Sequence, residues 1–317
     1  MVKAKVSIGK RDAPAEPPPK EARLRCVLDG GNHQAWTYCG GDTYHQPVRS
    51  LFAPLPVGQK PRPSFLSSPI IQYGDKRFHV GAQAALYDTP TAVATGEKIN
   101  EAKLLFLATV PDEACDQDID LVVLHHSPDD QDARLTLQAA LQGEHHWTRN
   151  GVAMSVNVST VQVELEGAGA WHLIHDTGFA ESWTLLVDVG GGSWLSCILN
   201  QQGQVVDYVA SNKGGTIALA RKIARDTRLT EAVLARGHTQ VDLGAVMTGL
   251  EQKHRYMEDP ALSWDSWLND YLPDWWDQLR KAAKSPFHHF GPRIGKVIVT
   301  GGGAHLVKRE YGIRPRG

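Results

Sequence analysis

Three glycine-rich segments follow apolar stretches of strand type, and the first two carry an aspartate just before their glycines. Their sequences are LDGGNHQ at 28–34, LLVDVGGGS at 185–193 and VIVTGGGAHL at 297–306. Because glycine has no Cβ, such segments let backbone N–H groups approach an anion closely. Asp29 could also hold a hydrated Mg²⁺, which takes one or two carboxylates together with phosphate oxygens. The segments therefore predict phosphate binding, with an ordinary Asp-Gly turn as the alternative at Asp29.

The glycine segments do not match the common nucleotide motifs. The chain has no GxxxxGK[ST] sequence, and neither 190–193 nor 301–304 reads GxGxxG. No strand-helix-strand unit with an acid for the ribose follows them, so a P-loop and a Rossmann site are disfavoured. A Ser-His-Asp hydrolase is unsupported because GxSxG is absent from the sequence.

Alternating strand and helix patterns around these segments predict α/β architecture. The expected elements are a hairpin around 73–76, helices at about 97–109 and 130–143, a hairpin around Asn150-Gly151, a β-meander from about 183, helices from about 214 to 284, and a strand before Gly301. Gly237, Gly244 and Gly249 are expected to interrupt the helical region, and Pro273 to lie in a helical hairpin. Four tryptophans there predict a buried stripe, with a subunit contact as the alternative. They are Trp264, Trp267, Trp275 and Trp276.

Composition and a repeated motif predict how the chain is divided. Residues 1–22 are rich in proline and charge, which predicts a disordered tail because they bury too little apolar surface to fold. The remainder is expected to form two domains, at 23–178 and 179–317. The pattern strand-Asp-x-Gly occurs at 29–31 and again at 188–190, which suggests two similar halves facing each other.

Charge and cysteine content exclude several classes of protein. With 33 Lys+Arg against 35 Asp+Glu the net charge is −2, so binding of nucleic acid through bulk positive charge is not expected. The sequence has neither an apolar run of membrane-spanning length nor the apolar core of an export signal, which predicts a cytoplasmic protein. The four cysteines are widely spaced without a CxxC pair, and free structural thiols are therefore expected. They are Cys26, Cys39, Cys115 and Cys197.

The order of the motifs resembles that of the actin-type ATPases, and among them the ParM/StbA plasmid-segregation actins. Asp-x-Gly, Asp-x-Gly-Gly and Thr-Gly-Gly-Gly-Ala are similar to the phosphate-1, phosphate-2 and adenosine motifs of that superfamily. Further likeness lies in FHVGAQA at 78–84, KLLFLA at 103–108, WTRNG and VQVELEGAGA within 147–170, and Gly-Gly at 214–215. The resemblance covers about residues 24–307. It implies an actin-like α/β fold, with two ribonuclease-H-type domains around a cleft for ATP/ADP and Mg²⁺.

The resemblance also implies a role for each matching residue. Asp29 and Asp188 would coordinate Mg²⁺ through water, and Glu166 would orient the attacking water, since phosphoryl transfer depends on positioning and charge neutralisation. Residues expected to contact the nucleotide are Gly31, Asn32, Gly190, Gly191 and Gly192 at the phosphates, and Gly301, Gly302 and Gly303 at the adenosine. For Glu166, a plain acid at a helix N-terminus remains the alternative.

Two departures from the superfamily pattern bear on turnover. Many relatives carry a lysine five residues after the second glycine of the first motif, where this chain has Trp36. The chain also ends at Gly317, soon after the adenosine motif, whereas relatives usually continue into a helix that closes the first domain. Both departures put catalysis in question more than fold.

The resemblance implies a filament-forming ATP hydrolase that segregates a plasmid or similar DNA. Its expected partners are further copies of itself and a DNA-binding adaptor protein, without direct contact to nucleic acid or membrane. Two alternatives remain open. One is a non-polymerising relative, such as a small-molecule kinase or a chaperone-type ATPase, and the other is a catalytically weak nucleotide-binding regulator.

Overall fold

A computed structural model describes most of the chain. The described residues are 23–31, 34–40, 47–87, 91–92, 99, 101–167, 182–211, 213–252, 256, 259, 262 and 265–311. The predicted tail at 1–22, Asn32 and Trp264 lie outside them, as does the predicted domain boundary at 178. Within these residues, no helix is long and apolar enough to cross a membrane.

In the described part of the first half, ten strands join in one mixed sheet. They are β1 (Leu24–Gly30), β2 (Gln34–Cys39), β3 (Val48–Arg49), β4 (Leu51–Pro54), β5 (Ile70–Tyr73), β6 (Lys76–Val80), β7 (Thr91–Ala92), β8 (Asp118–His125), β9 (Gly143–Arg149) and β10 (Val152–Leu165). The strand order is β3-β2-β1-β8-β10-β9-β5-β6-β4-β7. Since β1, β8 and β10 are parallel, their carboxyl ends meet at one edge.

Two helices pack on this sheet and close the first core. Helix α1 (Ala102–Thr109) is buried along most of its length and ends just before Pro111, which has no N–H with which to continue it. Helix α2 (Gln131–Leu141) begins after Asp130, whose carboxylate accepts a hydrogen bond from the Ala133 N–H at 3.0 Å. Their apolar side chains share a core with the inward positions of β1, β2 and β8.

The second half builds a smaller sheet covered by helices. Its strands are β11 (Trp183–Val189), β12 (Trp194–Leu199), β13 (Val205–Ser211) and β14 (Ile294–Thr300), in the order β13-β12-β11-β14. Its helices are α3 (Thr216–Ala224), α4 (Thr227–Leu234), α5 (Leu243–Gln252), α6 (Asp265–Lys284) and α7 (Ala304–Tyr311).

The two sheets repeat one local arrangement. In each, three consecutive antiparallel strands are followed by a later strand that runs parallel to the first of them, giving β3-β2-β1-β8 and β13-β12-β11-β14. Asp29 and Asp188 occupy equivalent places, one residue before the ends of β1 and β11. The predicted similarity of the two halves is confirmed, and the boundary between them stays a prediction.

The helical region differs from the prediction at three residues. Gly244 and Gly249 lie inside α5 and do not interrupt it, and Gly244 is in a first turn capped by Asp242. Pro273 lies within the single 20-residue helix α6, so the predicted helical hairpin is wrong. The cost of a proline inside a helix is offset by burial of one apolar face of α6 in the second core. Its buried tryptophans are Trp267, Trp275 and Trp276.

The cysteines also differ from the prediction. Cys26 on β1 and Cys39 on β2 are direct cross-strand partners, and they form a disulfide with a Cα–Cα distance of 4.1 Å. Only Cys115 and Cys197 are free thiols. The expectation of four free thiols is therefore wrong for the first pair, because the antiparallel register of β1 and β2 places two residues 13 positions apart directly opposite each other.

Candidate functional site

Segments from both halves of the chain meet at Asp188. A Cβ on Gly167 would lie 3.1 Å from Asp188 Oδ2, and Glu166 is the residue just before that glycine. On the other side, a Cβ on Gly301 would lie 2.6 Å from the Val189 carbonyl oxygen and even closer to Asp188 Oδ1. Gly301 also has a φ of +85°, which other residues adopt with strain. The half-buried Asp188 carboxylate is thus held between the Glu166 turn and the third glycine segment.

The second glycine segment forms a tight turn that supports a helix. The Gly190 N–H donates to the Ser193 carbonyl at 2.9 Å. The first N–H groups of α3 then donate to this turn, from Thr216 to Gly190 O at 3.0 Å and from Ile217 to Gly191 O at 2.7 Å. A Cβ on Gly215 would lie 2.6 Å from Gly190 O, so the helix can approach this closely only with glycine there.

The third glycine segment is explained partly by packing within the protein. The Gly303 N–H donates to Val189 O at 2.8 Å, and a Cβ on Gly303 would lie 2.6 Å from Val189 Cγ1. A Cβ on Gly302, in contrast, would have no atom within 4 Å. His305, in the first turn of α7, lies 2.7 Å from Gly302 O through Nδ1 and 2.9 Å from Leu250 O on α5 through Nε2. Of these glycines, Gly302 is the one that faces open space.

The first glycine segment includes the end of β1 and the first residue of β2. Asp29 is half-buried and pairs with Leu124 on β8, which in turn pairs with Glu164 on β10. Two strand spacings, about 10 Å, therefore separate Asp29 from Glu164. Gly31 is anchored by the Ser50 hydroxyl, which donates to its carbonyl oxygen. Asn32 lies outside the described residues.

Trp36 is the direct cross-strand partner of Asp29. Directly paired residues project from the same face of a sheet, so the indole lies beside the carboxylate, on the face that also carries Tyr38. Trp36 is 42% exposed although β2 is an inner strand of the sheet. An uncharged aromatic group therefore stands where the resemblance to the actin-type ATPases implies a lysine.

An apolar layer beneath Asp188 links the two halves. It consists of Leu165, Leu186, Leu195, Cys197 and Leu199. Burial raises the pKa of the Cys197 thiol to about 12, and the negative charge of Asp188 adds to this shift. The thiol is consequently protonated at neutral pH and behaves as part of the apolar layer.

A half-buried carboxylate at the site has the chemistry of a ligand for hydrated Mg²⁺. Among the described residues, no three His, Cys, Asp or Glu side chains form a group that could hold a metal ion. Magnesium keeps several waters and binds one or two carboxylates plus substrate phosphates. Asp188, half-buried and fixed on both sides by glycine backbone, is a carboxylate of this kind.

Sequence reasoning missed four residues that shape the site. They are Arg49, Ser50, Thr248 and His305. Ser50 holds Gly31, His305 joins Gly302 to α5, and the Arg49 guanidinium donates to Thr248 Oγ1 at 2.5 Å. None of them belongs to a glycine segment or to a recognisable motif, so only their contacts reveal them.

The chain matches solved structures at low sequence identity. No protein-family model matches it, and no curated protein sequence does. The archaeal actin homolog Ta0583 shares 15% identity, with 92% of each chain covered and a TM-score of 0.71. A 15-stranded ParM filament from Clostridium botulinum shares 14% identity, with 93% of each chain covered and a TM-score of 0.70. The apo ParM protein of pSK41 shares 17%, covering 91% of this chain and 89% of that one, with a TM-score of 0.58.

These matches define the fold. Each covers about nine-tenths of both chains, so the likeness includes both sheets and their helices. The protein has the actin-like fold, and the predicted fold class is confirmed. The predicted similarity to ParM is likewise confirmed, as a likeness of fold.

Proposed function

We propose that this protein is a filament-forming, actin-like ATPase that binds ATP or ADP with Mg²⁺ between its two halves. The observation that carries the proposal is the meeting of Glu166–Gly167, Asp188 and Gly301 at one point of an actin-like fold. A structure of Ta0583 in complex with ADP has the same fold, at 14% identity and a TM-score of 0.68. The Asp188 carboxylate and the turn that carries Glu166 thus lie beside Gly301 of the third glycine segment, which supports a nucleotide at this place.

The residues take the roles that their positions favour. Asp188 and Asp29 hold Mg²⁺ through water, and the ion supplies neutralisation of phosphate charge when bound. Glu166, in the turn next to Asp188, would orient the water that attacks the terminal phosphate. Backbone donors around the phosphates are proposed to come from the turns that contain Gly31, Asn32, Gly190, Gly191 and Gly192, although the N–H of Gly190 itself donates to the Ser193 carbonyl. Gly301, Gly302 and Gly303 are proposed to lie against the adenosine.

Self-assembly is the biological part of the proposal. Structures that share this fold include the ParM filament and an Alp12 filament, the latter at 13% identity and a TM-score of 0.58. Head-to-tail contacts that do not close on themselves generate open filaments. Nucleotide governs such contacts only if it binds the assembling state better, since equal affinity shifts no equilibrium. A DNA-binding adaptor would connect the filament to a plasmid in the cytoplasm.

Light scattering combined with electron microscopy tests this function. We expect scattering to rise above a critical protein concentration with ATP and Mg²⁺, to fall as ATP is consumed, and to coincide with ordered strands. Asp188→Ala is expected to abolish Mg²⁺-dependent hydrolysis while the fold survives. Asp274→Ala, which removes an exposed acid on α6, serves as the matched control and should behave as wild type. Unchanged hydrolysis in Asp188→Ala would contradict the assignment of the site.

Trp36 favours a second candidate, a nucleotide-binding regulator with weak turnover. The indole stands beside Asp29, and an uncharged group there gives phosphate charge no cationic partner. A nucleotide titration run alongside scattering separates the two functions. Protein that binds ATP yet stays monomeric at high micromolar concentration is the regulator, and ATP-dependent strands identify the filament protein.

A further inference from the structure

Tyr208 and Asp129 connect the two halves of the chain through one hydrogen bond. The Tyr208 hydroxyl, on β13, donates to Asp129 Oδ2 at 3.0 Å, and Asp129 lies two residues before α2. Burial raises the pKa of Tyr208, and the hydrogen bond to Asp129 adds to this shift. The phenol is therefore protonated at neutral pH and can donate to the carboxylate.

On the second half, the Tyr208 ring is held by the apolar layer beneath Asp188. Tyr208 pairs with Cys197 on β12 and packs, half-buried, against this layer. Leu165, the residue before Glu166, belongs to the same layer although it comes from the first half. The Tyr208 ring and the strand that leads to Glu166 thus rest on common apolar side chains.

On the first half, Asp129 lies in a turn that is attached to the end of β8. The Asp130 N–H donates to the Ser127 carbonyl at 3.2 Å, which closes the turn. The Ser127 N–H donates to Nδ1 of His125 at 3.2 Å, and His125 is the last residue of β8. The His125 side chain is 3% exposed, so the turn is joined to a group fixed inside the protein.

The end of β8 in turn holds the backbone of Glu166. The Glu166 N–H donates to the His125 carbonyl at 3.0 Å. On its other side, a Cβ on Gly167 would lie 3.1 Å from Asp188 Oδ2, so this backbone also abuts the second half. Contacts therefore run from the Tyr208 hydroxyl, through the turn and the end of β8, to the acid that is proposed to orient water.

A connection of this kind matters because the two proposed site acids belong to different halves. Asp188, the proposed Mg²⁺ ligand, is on β11, whereas Glu166 follows β10. The distance between their carboxylates therefore depends on how the halves are held together. About 1 Å of misplacement at a reacting group can reduce a rate by up to about a hundredfold.

We propose that Tyr208 is a positioning residue for Glu166, because its hydroxyl fixes the turn after β8 relative to the second half. The inference rests on the proposed function in one respect, that Glu166 orients the attacking water. Tyr208 exerts this role through the backbone of Glu166 and not through contact with the nucleotide. Its loss is therefore expected to affect turnover and to spare nucleotide affinity.

ATP hydrolysis and ATP titration of the full chain test the proposal. Tyr208→Phe removes only the hydroxyl and keeps the ring in the apolar layer. We expect kcat to fall about three- to tenfold while the Kd for ATP changes by less than about twofold, because the hydroxyl serves orientation. Asp132→Ala, which removes an exposed acid from α2, is the matched control and should keep the wild-type kcat.

Further variants show whether the effect passes through this hydrogen bond and through Glu166. Asp129→Ala should lower kcat as Tyr208→Phe does, and the double variant should lower it no further, since both changes remove the same bond. Asp129→Asn keeps an acceptor oxygen and should retain most of kcat. In a Glu166→Ala background, single-turnover measurements should show no additional loss from Tyr208→Phe.

Hydrogen exchange provides a measurement that does not depend on turnover. Since the Glu166 N–H is bonded to the end of β8, Tyr208→Phe should speed exchange of the Glu166 amide by about threefold or more. Exchange in the hairpin of β5 and β6 should stay unchanged. An unaltered exchange rate at Glu166 would overturn the proposed path of contacts.

Failure of this inference can be told apart from failure of the proposed function. Wild-type protein that does not hydrolyse ATP, or wild-type turnover in Glu166→Ala, overturns the proposed role of Glu166 and this inference together. If Glu166→Ala is impaired but Tyr208→Phe keeps the wild-type kcat, only the role of Tyr208 is overturned. A loss of the same size in the Glu166→Ala background also overturns it, because the hydroxyl then acts elsewhere.

Discussion

The Asp188 carboxylate occupies the space that any side chain at position 301 would need. This relationship follows from the sheet, because β11 and β14 are parallel neighbours in which Asp188 pairs with Thr300. The chain turns immediately afterwards, so that a Cβ at position 301 would lie against Asp188 Oδ1. The position of the proposed Mg²⁺ ligand therefore depends on a glycine that follows a different strand.

Gly301→Ala is expected to disturb both stability and the site. The methyl group would collide with Asp188 at a φ of +85°, so we expect the free energy of unfolding to fall by about 2–4 kcal/mol. Gly302→Ala is the matched control, because its Cβ would meet no atom within 4 Å. Urea unfolding of both variants measures the difference in stability, and ATP titration of Gly301→Ala against wild type measures the effect on the site. Equal unfolding of the two variants would show that Asp188 does not limit position 301.

Glu166→Ala is expected to separate binding from hydrolysis. If Glu166 orients water, the variant should keep its ATP affinity while hydrolysis slows by about two to four orders of magnitude. Filaments should then persist longer, because hydrolysis no longer destabilises them. Glu164→Ala provides the control, since Glu164 is an exposed acid two residues earlier on β10. Wild-type turnover in Glu166→Ala would leave this residue without a catalytic role.

Asp226 is expected to make stability depend on pH. Hydrogen bonds from Arg228, and a further one from Tyr271, hold the pKa of Asp226 well below its usual range. A carboxyl whose pKa is lower in the folded state stabilises the fold above its unfolded pKa, about 3.9, and loses that effect as the pH falls. Asp226→Asn keeps an N-cap on α4 but removes the charge. It should lower the free energy of unfolding by about 1–3 kcal/mol at pH 7.

The difference in the free energy of unfolding between wild type and Asp226→Asn should shrink as the pH falls below about 4. Urea unfolding midpoints at pH 7 and pH 3 measure this difference. Asp130→Asn is the control, because Asp130 also caps a helix but is exposed. If the difference in the free energy of unfolding is the same at both pH values, the charge of Asp226 is not what stabilises the fold.

Thiol counting tests the cysteine pairing. Protein prepared without reductant and then unfolded should expose two thiols, from Cys115 and Cys197, and full reduction should raise the number to four. In the native protein both thiols should react slowly at pH 8, because burial raises the pKa of each. Four reactive thiols in the unfolded, unreduced protein would contradict the bond between Cys26 and Cys39.

Features decided by neighbouring residues were predictable from the sequence. The hairpin at Asn150-Gly151 forms with φ values of +54° and +84°, as that residue pair favours. The hairpin around Gly74, the β-meander from Trp183 and the strand before Gly301 also form as expected. Turn chemistry and short-range periodicity act within a few residues, so one sequence suffices to recognise them. The order of the motifs along the chain also predicted the fold, because such an order can be recognised even where most other residues differ.

Contacts between distant segments were decided only by the tertiary structure. Register pairs Cys26 with Cys39, and burial of an apolar face carries α6 through Pro273. The sequence predicted that Gly301 contacts the adenosine. It did not predict that packing against Asp188 requires glycine at this position. It offered no signal for the bond between Arg49 and Thr248, which are 199 residues apart. Such contacts depend on how whole strands and helices pack, and a single sequence does not show which of its residues come into contact.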